Sequence, residues 1–359
     1  MTIIYFILML GIIIFVHEFG HLIVAKLFNV YVSEFALGFG PKLWSKKGKE
    51  TTYSLRAIPL GGFNGMVENE ETPLAFDEEG NPTEILRVPK ERTLYGVAIW
   101  KRILILLAGT FFNLLLAVFV FILIFQINGF INEYPAPYID SVTSGSPAEI
   151  AGLQAGDLIT KIEYTNGDVV IPETFYDIIV ANQSNTDPMT IYIERAGQEM
   201  VYVVTPKLTE NNQYLIGISC GPLVQKELTF WSAIPTGIEY TFDTIKLTLS
   251  GIVGLFTGRT GLDSLGGTIA IYEYTKEAAS YGLVSLLSLM GSLSISVGLM
   301  NQLPLAIFDG GKVVMAIIEL ITGKRMNEKV EMAINYFALA VIMLLFVFVT
   351  YQDITKFFG

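Results

Sequence analysis

Histidine and cysteine are nearly absent from this chain of 359 residues, which has two of the first and one of the second, Cys220. A single cysteine excludes an intrachain disulfide framework and a zinc site built on thiolates. Charge is scarce too, at 16% of residues, and 34 acids outweigh 23 lysines and arginines to give a formal charge of −11. That balance argues against a nucleic-acid partner, which wants a basic surface. Apolar residues are what the chain has in excess, at 52%, the profile of an integral membrane protein with soluble parts. The length allows two or three domains.

Both histidines fall in one stretch, Gly11-Ile-Ile-Ile-Phe-Val-His17-Glu18-Phe-Gly-His21, inside an apolar run from Ile3 to Phe28. His17 and His21 stand four apart in an H-E-x-x-H pattern, so on a helix they share a face and both reach one metal ion. Glu18 is the next residue round the helix, placed to act as a base on a water at that metal. The competing readings are core packing and a proton relay. Ionisable groups in a membrane-length segment are costly unless paired or metal-bound, which favours the metal. The run has no basic start and no small-residue cleavage site, so it reads as a retained transmembrane helix rather than a signal peptide.

Four stretches are long enough to span a bilayer: Ile3–Phe28, Val97–Ile127, Leu283–Leu303 and Met332–Tyr351. Phe230–Phe256 is interrupted by Pro235, Glu239, Asp243 and Lys246 and reads as an interfacial amphipathic helix. Val313–Ile321 reads as a half-length helix. Lysines and arginines crowd the first loop, from Lys42 to Arg92, and the Lys324–Lys329 loop. The positive-inside rule puts both loops in the cytoplasm, and the termini and the long middle segment outside.

Within the first loop, Val30–Leu43 and Thr51–Phe63 are rich in β-formers and flank a polar turn, Ser45–Glu50, which predicts a hairpin. Asn64–Glu91 carries Glu68, Glu70, Glu71, Asp77, Glu78 and Glu79 and reads as a solvated acidic loop. In the second span, Trp100-Lys-Arg102 suits an interfacial anchor. Asn113 lies deeper, where it either bonds a neighbouring helix or lines a cavity. The segment from Ala136 to Leu208 contains Gly145-Ser-Pro-Ala148 and Ala151-Gly-Leu-Gln-Ala-Gly-Asp-Leu-Ile159, with strand-like runs at Thr160–Tyr164, Met189–Glu194 and Met200–Val204. Together these resemble the PDZ signature. PDZ domains bind extended chains by strand addition, and the same fold also serves as a steric plug.

The third span ends in Asn301-Gln-Leu-Pro304-Leu-Ala-Ile-Phe-Asp309-Gly-Gly311. Pro304 breaks the helix, and broken backbone at membrane depth is tolerated only beside protein or a water-filled cavity. Asp309 then either caps the following helix or projects into that cavity as a metal ligand. A catalytic zinc takes three protein ligands; two histidines leave a third place for a carboxylate, which favours the second role.

These features, in this order, resemble the bacterial site-2 protease family of the regulator-of-sigma-E type, which are intramembrane zinc metalloproteases. The likeness rests on His17-Glu18-x-x-His21, Gly38-Phe-Gly-Pro41 with Pro59-Leu-Gly-Gly62, Trp100-Lys-Arg102 with Ala108-Gly-x-x-x-Asn113, the PDZ-like insert, and Asn301-x-x-Pro304-x-x-x-x-Asp309-Gly-Gly311. It implies Zn2+ on His17, His21 and Asp309, with Glu18 as catalytic base. It further implies a multi-pass α-helical membrane protein of about four transmembrane helices, with a membrane-reentrant β-hairpin and an inserted α+β PDZ domain. The expected divisions are 1–29 for the first helix, 30–96 for the hairpin and acidic loop, and 97–128 for the second helix. Then come 129–210 for the PDZ domain, 211–280 for a linker with the interfacial helix, 281–323 for the third span with its half helix, and 324–359 for the fourth span and tail. The implied location is the bacterial cell membrane, with the active site towards the cytoplasm and the PDZ domain outside.

The implied substrate is a single-span membrane protein, such as an anti-sigma factor or a remnant signal peptide, with a further peptide possible at the PDZ groove and the lipid bilayer around the chain. A helical substrate hides its scissile bond in internal hydrogen bonds and must unwind. An edge strand at Thr51–Ile58, with Tyr53 and Leu55, is placed to hold the unwound stretch. Asn113, Asn301 and Pro304 are candidate cavity residues, the two asparagines as donors to an oxyanion. The chain departs from the family where Thr110 stands for a common Pro, Phe308 for Leu and Lys312 for His. Leu265-Gly-Gly-Thr-Ile269 likewise takes the place of a Gly-Pro-Val-Gly string. Three other readings compete. A non-catalytic PDZ-bearing scaffold predicts no metal. A proton-coupled transporter predicts internal repeats, which are not seen. A membrane-tethered soluble-type protease would keep H-E-x-x-H outside its anchor.

Overall fold

The first helix, α1 (Thr2–Leu27), follows directly from its apolar run. It closes where Asn29 takes a left-handed conformation and the Val30 amide donates back to the Ala25 carbonyl at 2.8 Å. This geometry comes from a computed structural model that describes residues 1–76, 82–182, 185–209, 214–258, 261 and 265–358. The chain divides into two units: one of residues 1–124, 235–249 and 263–359, the other of residues 125–234 and 250–262.

In the first unit, α1 leads into the hairpin expected from sequence, strands β1 (Val32–Lys47) and β2 (Thr52–Met66). Their pairing is not a simple ladder. Phe35 is opposite both Asn64 and Tyr53, Ala36 opposite Phe63 and Ser54, and Leu37 opposite Gly62 and Leu55. The far arm of β1 then pairs Trp44 with Leu55 and Lys47 with Thr52. Each strand therefore folds back into two arms, and the ribbon runs 44–47, 52–55, 34–37, 62–66. Thr52–Leu55 has a partner on each side. The expectation of an edge strand there is corrected, because a doubly paired arm has no free backbone groups to offer. Among the described residues no further strand pairs with residues 62–66, on the side of the ribbon next to α1. A cluster of Leu22, Ala25, Val30, Val32, Phe35, Leu94 and Ile105 seats the ribbon on the helices. Lys26 and Arg92 both bond Glu50 in its turn, at 2.8–2.9 Å.

The acidic segment is also not a plain loop. β3 (Glu71–Phe76) and β4 (Pro82–Arg87) pair antiparallel, Glu71 opposite Arg87. Acidic residues drew attention from the β-formers among them, Thr72, Ile85 and Leu86. Asp77, Glu78 and Glu79 lie outside the described residues. The second long helix, α2 (Ile99–Asn128), follows.

The second unit begins with β5 (Phe130–Glu133), which pairs with Val224–Glu227, and β6 (Ser141–Val142), which pairs with Ile218–Ser219. Ser146 caps α3 (Pro147–Ala151), its hydroxyl accepting from the Glu149 amide, with Pro147 in the first turn. That is the physical content of the Ser-Pro-Ala signature. Strands β7 (Leu158–Tyr164) and β8 (Val169–Val170), helix α4 (Phe175–Asn182), and strands β9 (Met189–Arg195) and β10 (Gln198–Val204) complete an α+β domain. Its sheet order is β10-β9-β7-β8. Ile139, Ile159, Ile162, Ile178, Met189, Ile191 and Ile193 fill its core. Asp157, buried, holds Arg195 through two bonds of 2.6 and 2.7 Å. Part of the stretch read as linker belongs here, since Ile216 joins that core and Ile218–Ser219 pairs with β6.

Helix α5 (Ala233–Thr257) is where the interfacial helix was expected; α6 (Thr268–Tyr281), just before the third span, was not anticipated as a helix. The α6 start has no capping side chain of its own. Asp353, buried, accepts from the Gly267 and Ala270 amides at 3.3 and 3.0 Å in its place. Helices α7 (Leu283–Asn301), α8 (Asp309–Thr322) and α9 (Glu328–Phe358) complete the chain. Helix α8 starts four residues before Val313, where the half helix was expected to begin, and Phe308 rather than Asp309 holds its cap position. Among the described residues four helices are long and apolar enough to cross a membrane: α1, α2, α7 and α9.

Candidate metal centre

The two histidines sit edge to face on α1, their ring centroids 4.9 Å apart. His21 Nδ1 lies 2.8 Å from the Ile105 carbonyl oxygen on α2. A carbonyl only accepts, so Nδ1 carries the hydrogen and Nε2 is left as a bare lone pair. That Nε2 lies 3.3 Å from His17 Nε2 and 3.0 Å from Asp309 Oδ2, and His17 Nε2 lies 3.2 Å from the same oxygen. Three ligand atoms thus form a nearly equilateral triangle. Bonds of about 2.0–2.1 Å in tetrahedral zinc place ligand atoms about 3.3 Å apart. Among the described residues this is the one cluster of three or more potential ligands so disposed.

The fit to a cation has two further supports. A bare ring nitrogen and a carboxylate oxygen 3.0 Å apart repel unless a proton or a positive ion lies between them. The wall of the site is also hollowed for an occupant. A Cβ built on Gly109 of α2 would collide with His21 Nε2 and stand 2.8 Å from His17 Nε2, within the space between the two histidines. Glycine there leaves the cradle open.

Asp309 reaches this point because the third span is broken. Helix α7 ends at Asn301, and the backbone turns through Pro304 before α8 begins at Asp309. Asn301 is half-buried and Pro304 exposed. Asn113 is fully buried, its Nδ2 3.4 Å from His17 Nδ1. Thr110 donates to the Gly298 carbonyl at 2.9 Å and accepts from Gln302 Nε2 at 2.8 Å. A proline at 110 would make neither bond, so this departure from the family pattern ties α2 to α7. Tyr53 and Leu55 lie in the doubly paired arm of the ribbon, and the Tyr53 ring rests on Phe35.

Glu18 faces the hairpin. Asn64 Nδ2 donates to Glu18 Oε2 at 2.6 Å and to its main-chain carbonyl at 2.9 Å. A Cβ on Gly62 would lie 2.9 Å from Glu18 Cγ and 2.8 Å from the Ala36 carbonyl oxygen, so the strand passes this close only as glycine. Asn64 and the Ile105 carbonyl were not found from sequence, and Gly109 stood there only as part of the Ala108-Gly-x-x-x-Asn113 string, without a role. The only local signal for Asn64 was its place just after Gly61-Gly-Phe63. Sequence reasoning also missed an ion pair between Arg102 of α2 and Glu319 of α8, which ties the helix bearing Asp309 to the helix bearing Gly109.

A family model described as Peptidase family M50 matches residues 5–345. The zinc metalloprotease RasP of Geobacillus kaustophilus is 31% identical over 424 aligned positions, covering 99% of this chain and 98% of its own. The regulator of sigma-W protease RasP of Bacillus subtilis is 29% identical over 427 positions, covering 99% of each chain. Among solved structures, the PDZ domain of an SdrC-like protein from Listeria monocytogenes aligns with 25% of this chain and 90% of its own, at 24% identity and a TM-score of 0.21.

Proposed function

Because the chain belongs to peptidase family M50 and is a zinc metalloprotease, we propose that it hydrolyses peptide bonds within the membrane-spanning segments of single-span proteins. In this reading His17, His21 and Asp309 hold the zinc and Glu18 is the base. The observation that carries it is the triangle of Nε2, Nε2 and Oδ2 atoms, 3.0–3.3 Å on a side, formed from a span that begins the chain and a turn near its end.

Zinc supplies Lewis acidity, polarising a carbonyl and lowering the pKa of water. Glu18 takes a proton from the attacking water and returns it to the leaving nitrogen. Asn64 donates to Oε2, and the carboxylate keeps further acceptor sites for the proton it takes. The substrate helix has to unwind for its peptide bond to become accessible. An extended segment would then pair with residues 62–66, whose outer side no other strand covers among the described residues. That edge passes Glu18 at Gly62, which brings a bound chain to the base. Strand addition here replaces the Thr51–Ile58 arm as the holding element.

In this reading the hairpin enters the membrane from the cytoplasmic side, which the lysines and arginines of the first loop support. The PDZ-like insert lies on the other side and filters substrates by size or sequence, so cleavage follows an earlier trimming of the substrate's outer part. Anti-sigma factors and remnant signal peptides are the substrate classes of this kind.

The test is cleavage of a single-span reporter by the purified chain in proteoliposomes, beside Glu18→Gln. Wild type cleaves, and the variant keeps its zinc while losing about 10²–10⁴-fold in rate. A variant that cleaves at the wild-type rate overturns the assignment of the base.

A further inference from the structure

Among the described residues, Asn113 is the one buried polar side chain in contact with a proposed ligand whose hydrogen bonding is inconsistent as placed. Its Nδ2 faces His17 Nδ1 at 3.4 Å, and its Oδ1, also buried, has no partner. If Nδ2 donates to Nδ1, then Nδ1 is the bare nitrogen and Nε2 carries the hydrogen. That tautomer points a hydrogen into the triangle, and Nε2 cannot then ligate. For Nε2 to ligate, Nδ1 must carry the hydrogen and needs an acceptor. Rotating the amide by half a turn exchanges its oxygen and nitrogen, which are nearly isosteric. The rotation costs no other bond, because Oδ1 has none to lose.

We infer that Asn113 is a positioning residue whose side-chain carbonyl accepts the Nδ1–H of His17 and so presents His17 Nε2 to the metal. The inference rests on the zinc site proposed above. The Ile105 carbonyl does the same for His21, so both rings are oriented by acceptors from one helix, α2. Gly109 and Asn113 stand four apart on that helix and share its face towards α1. The first leaves room for the occupant and the second fixes a ligand. Helix α7 holds Asn113 in place. Ser294 Oγ donates to its main-chain carbonyl at 2.8 Å, and Gly298 lies against its Cβ. This role needs the amide oxygen, whereas donation to a reacting carbonyl would need the amide N–H. The two predict opposite results for zinc affinity in Asn113→Leu, a loss for the positioning role and none for donation to a reacting carbonyl.

The experiment is zinc affinity by chelator competition on the full chain in detergent, for wild type, Asn113→Leu and Asn113→Asp. The chain has only two histidines, so selective nitrogen-15 histidine labelling reads each ring separately. Loss of an outer-sphere partner costs about 10–100-fold in metal affinity. Asn113→Leu is expected to bind zinc more weakly by that factor and to move the ring signals of His17 but not those of His21. Asn113→Asp, which still accepts, is expected to stay within about threefold of wild type. If Asn113→Leu fails to insert, Asn113→Ala makes the same comparison while keeping the main-chain bond to Ser294. Wild-type zinc affinity in Asn113→Leu or Asn113→Ala overturns the inference, and so does a loss in Asn113→Asp as large as in Asn113→Leu. Absence of zinc from wild type itself overturns the underlying site, a result distinct from either.

Discussion

Asn64 on the second hairpin strand donates to both the side chain and the main chain of Glu18, at 2.6 and 2.9 Å. The residue proposed as base is therefore oriented by the same strand proposed to hold the substrate. Removing this charge-assisted bond costs about 1.5–3 kcal/mol, which corresponds to roughly 10–100-fold in rate if the orientation is used in the transition state. Asn64→Leu is expected to lower kcat by that factor with zinc content unchanged. Reporter kinetics and metal analysis on the same preparation check this, and a variant that loses its zinc places Asn64 in metal binding instead.

Gly109 gives a separate prediction, because its Cβ would enter the space between the two histidines. Gly109→Ala is expected to lose stoichiometric zinc while the chain still inserts. Gly11→Ala on α1, where a Cβ meets nothing within 4 Å, is the control and keeps its zinc. Equal zinc in the two variants would remove Gly109 from the site.

Arg102, nearly fully buried, pairs with Glu319 and lies over the Tyr95 ring at 4.9 Å. Removing Arg102 leaves the half-buried Glu319 without its charged partner, at a cost of about 1–3 kcal/mol. Arg102→Leu is expected to lower the unfolding temperature in detergent and to weaken zinc binding, since Glu319 belongs to the helix that begins with Asp309. The exchanged pair, Arg102→Glu with Glu319→Arg, is expected to recover part of the loss; no recovery would show that packing rather than pairing matters there.

How much of this was legible in the sequence depends on distance along the chain. The meeting of His17 with His21 is a consequence of four-residue spacing on one helix. The four long apolar helices follow from uninterrupted runs. The break between Asn301 and Asp309 follows from a proline. Asp309 was reached by counting donors, because no local pattern connects it with His17, 292 residues away. The ribbon's order was not readable. Alternation marks a strand but does not say that Phe35 will pair with Tyr53 on one side and Asn64 on the other, and so the free edge was assigned to the wrong arm. Asn64 and Ile105 were missed, and Arg102 was read as an interfacial anchor where it is buried and paired with Glu319, for the same reason, since each acts through a contact made only when distant elements pack. In β3 and β4 a dense run of acids masked the β-formers between them.

The most direct measurement is zinc content per chain in wild type, His21→Ala, Asp309→Ala and Lys312→Ala, purified identically. One zinc is expected in wild type and in Lys312→Ala, and its loss from His21→Ala and Asp309→Ala. Full zinc in Asp309→Ala would contradict this, because the third ligand would then lie elsewhere and the triangle would not be the metal site.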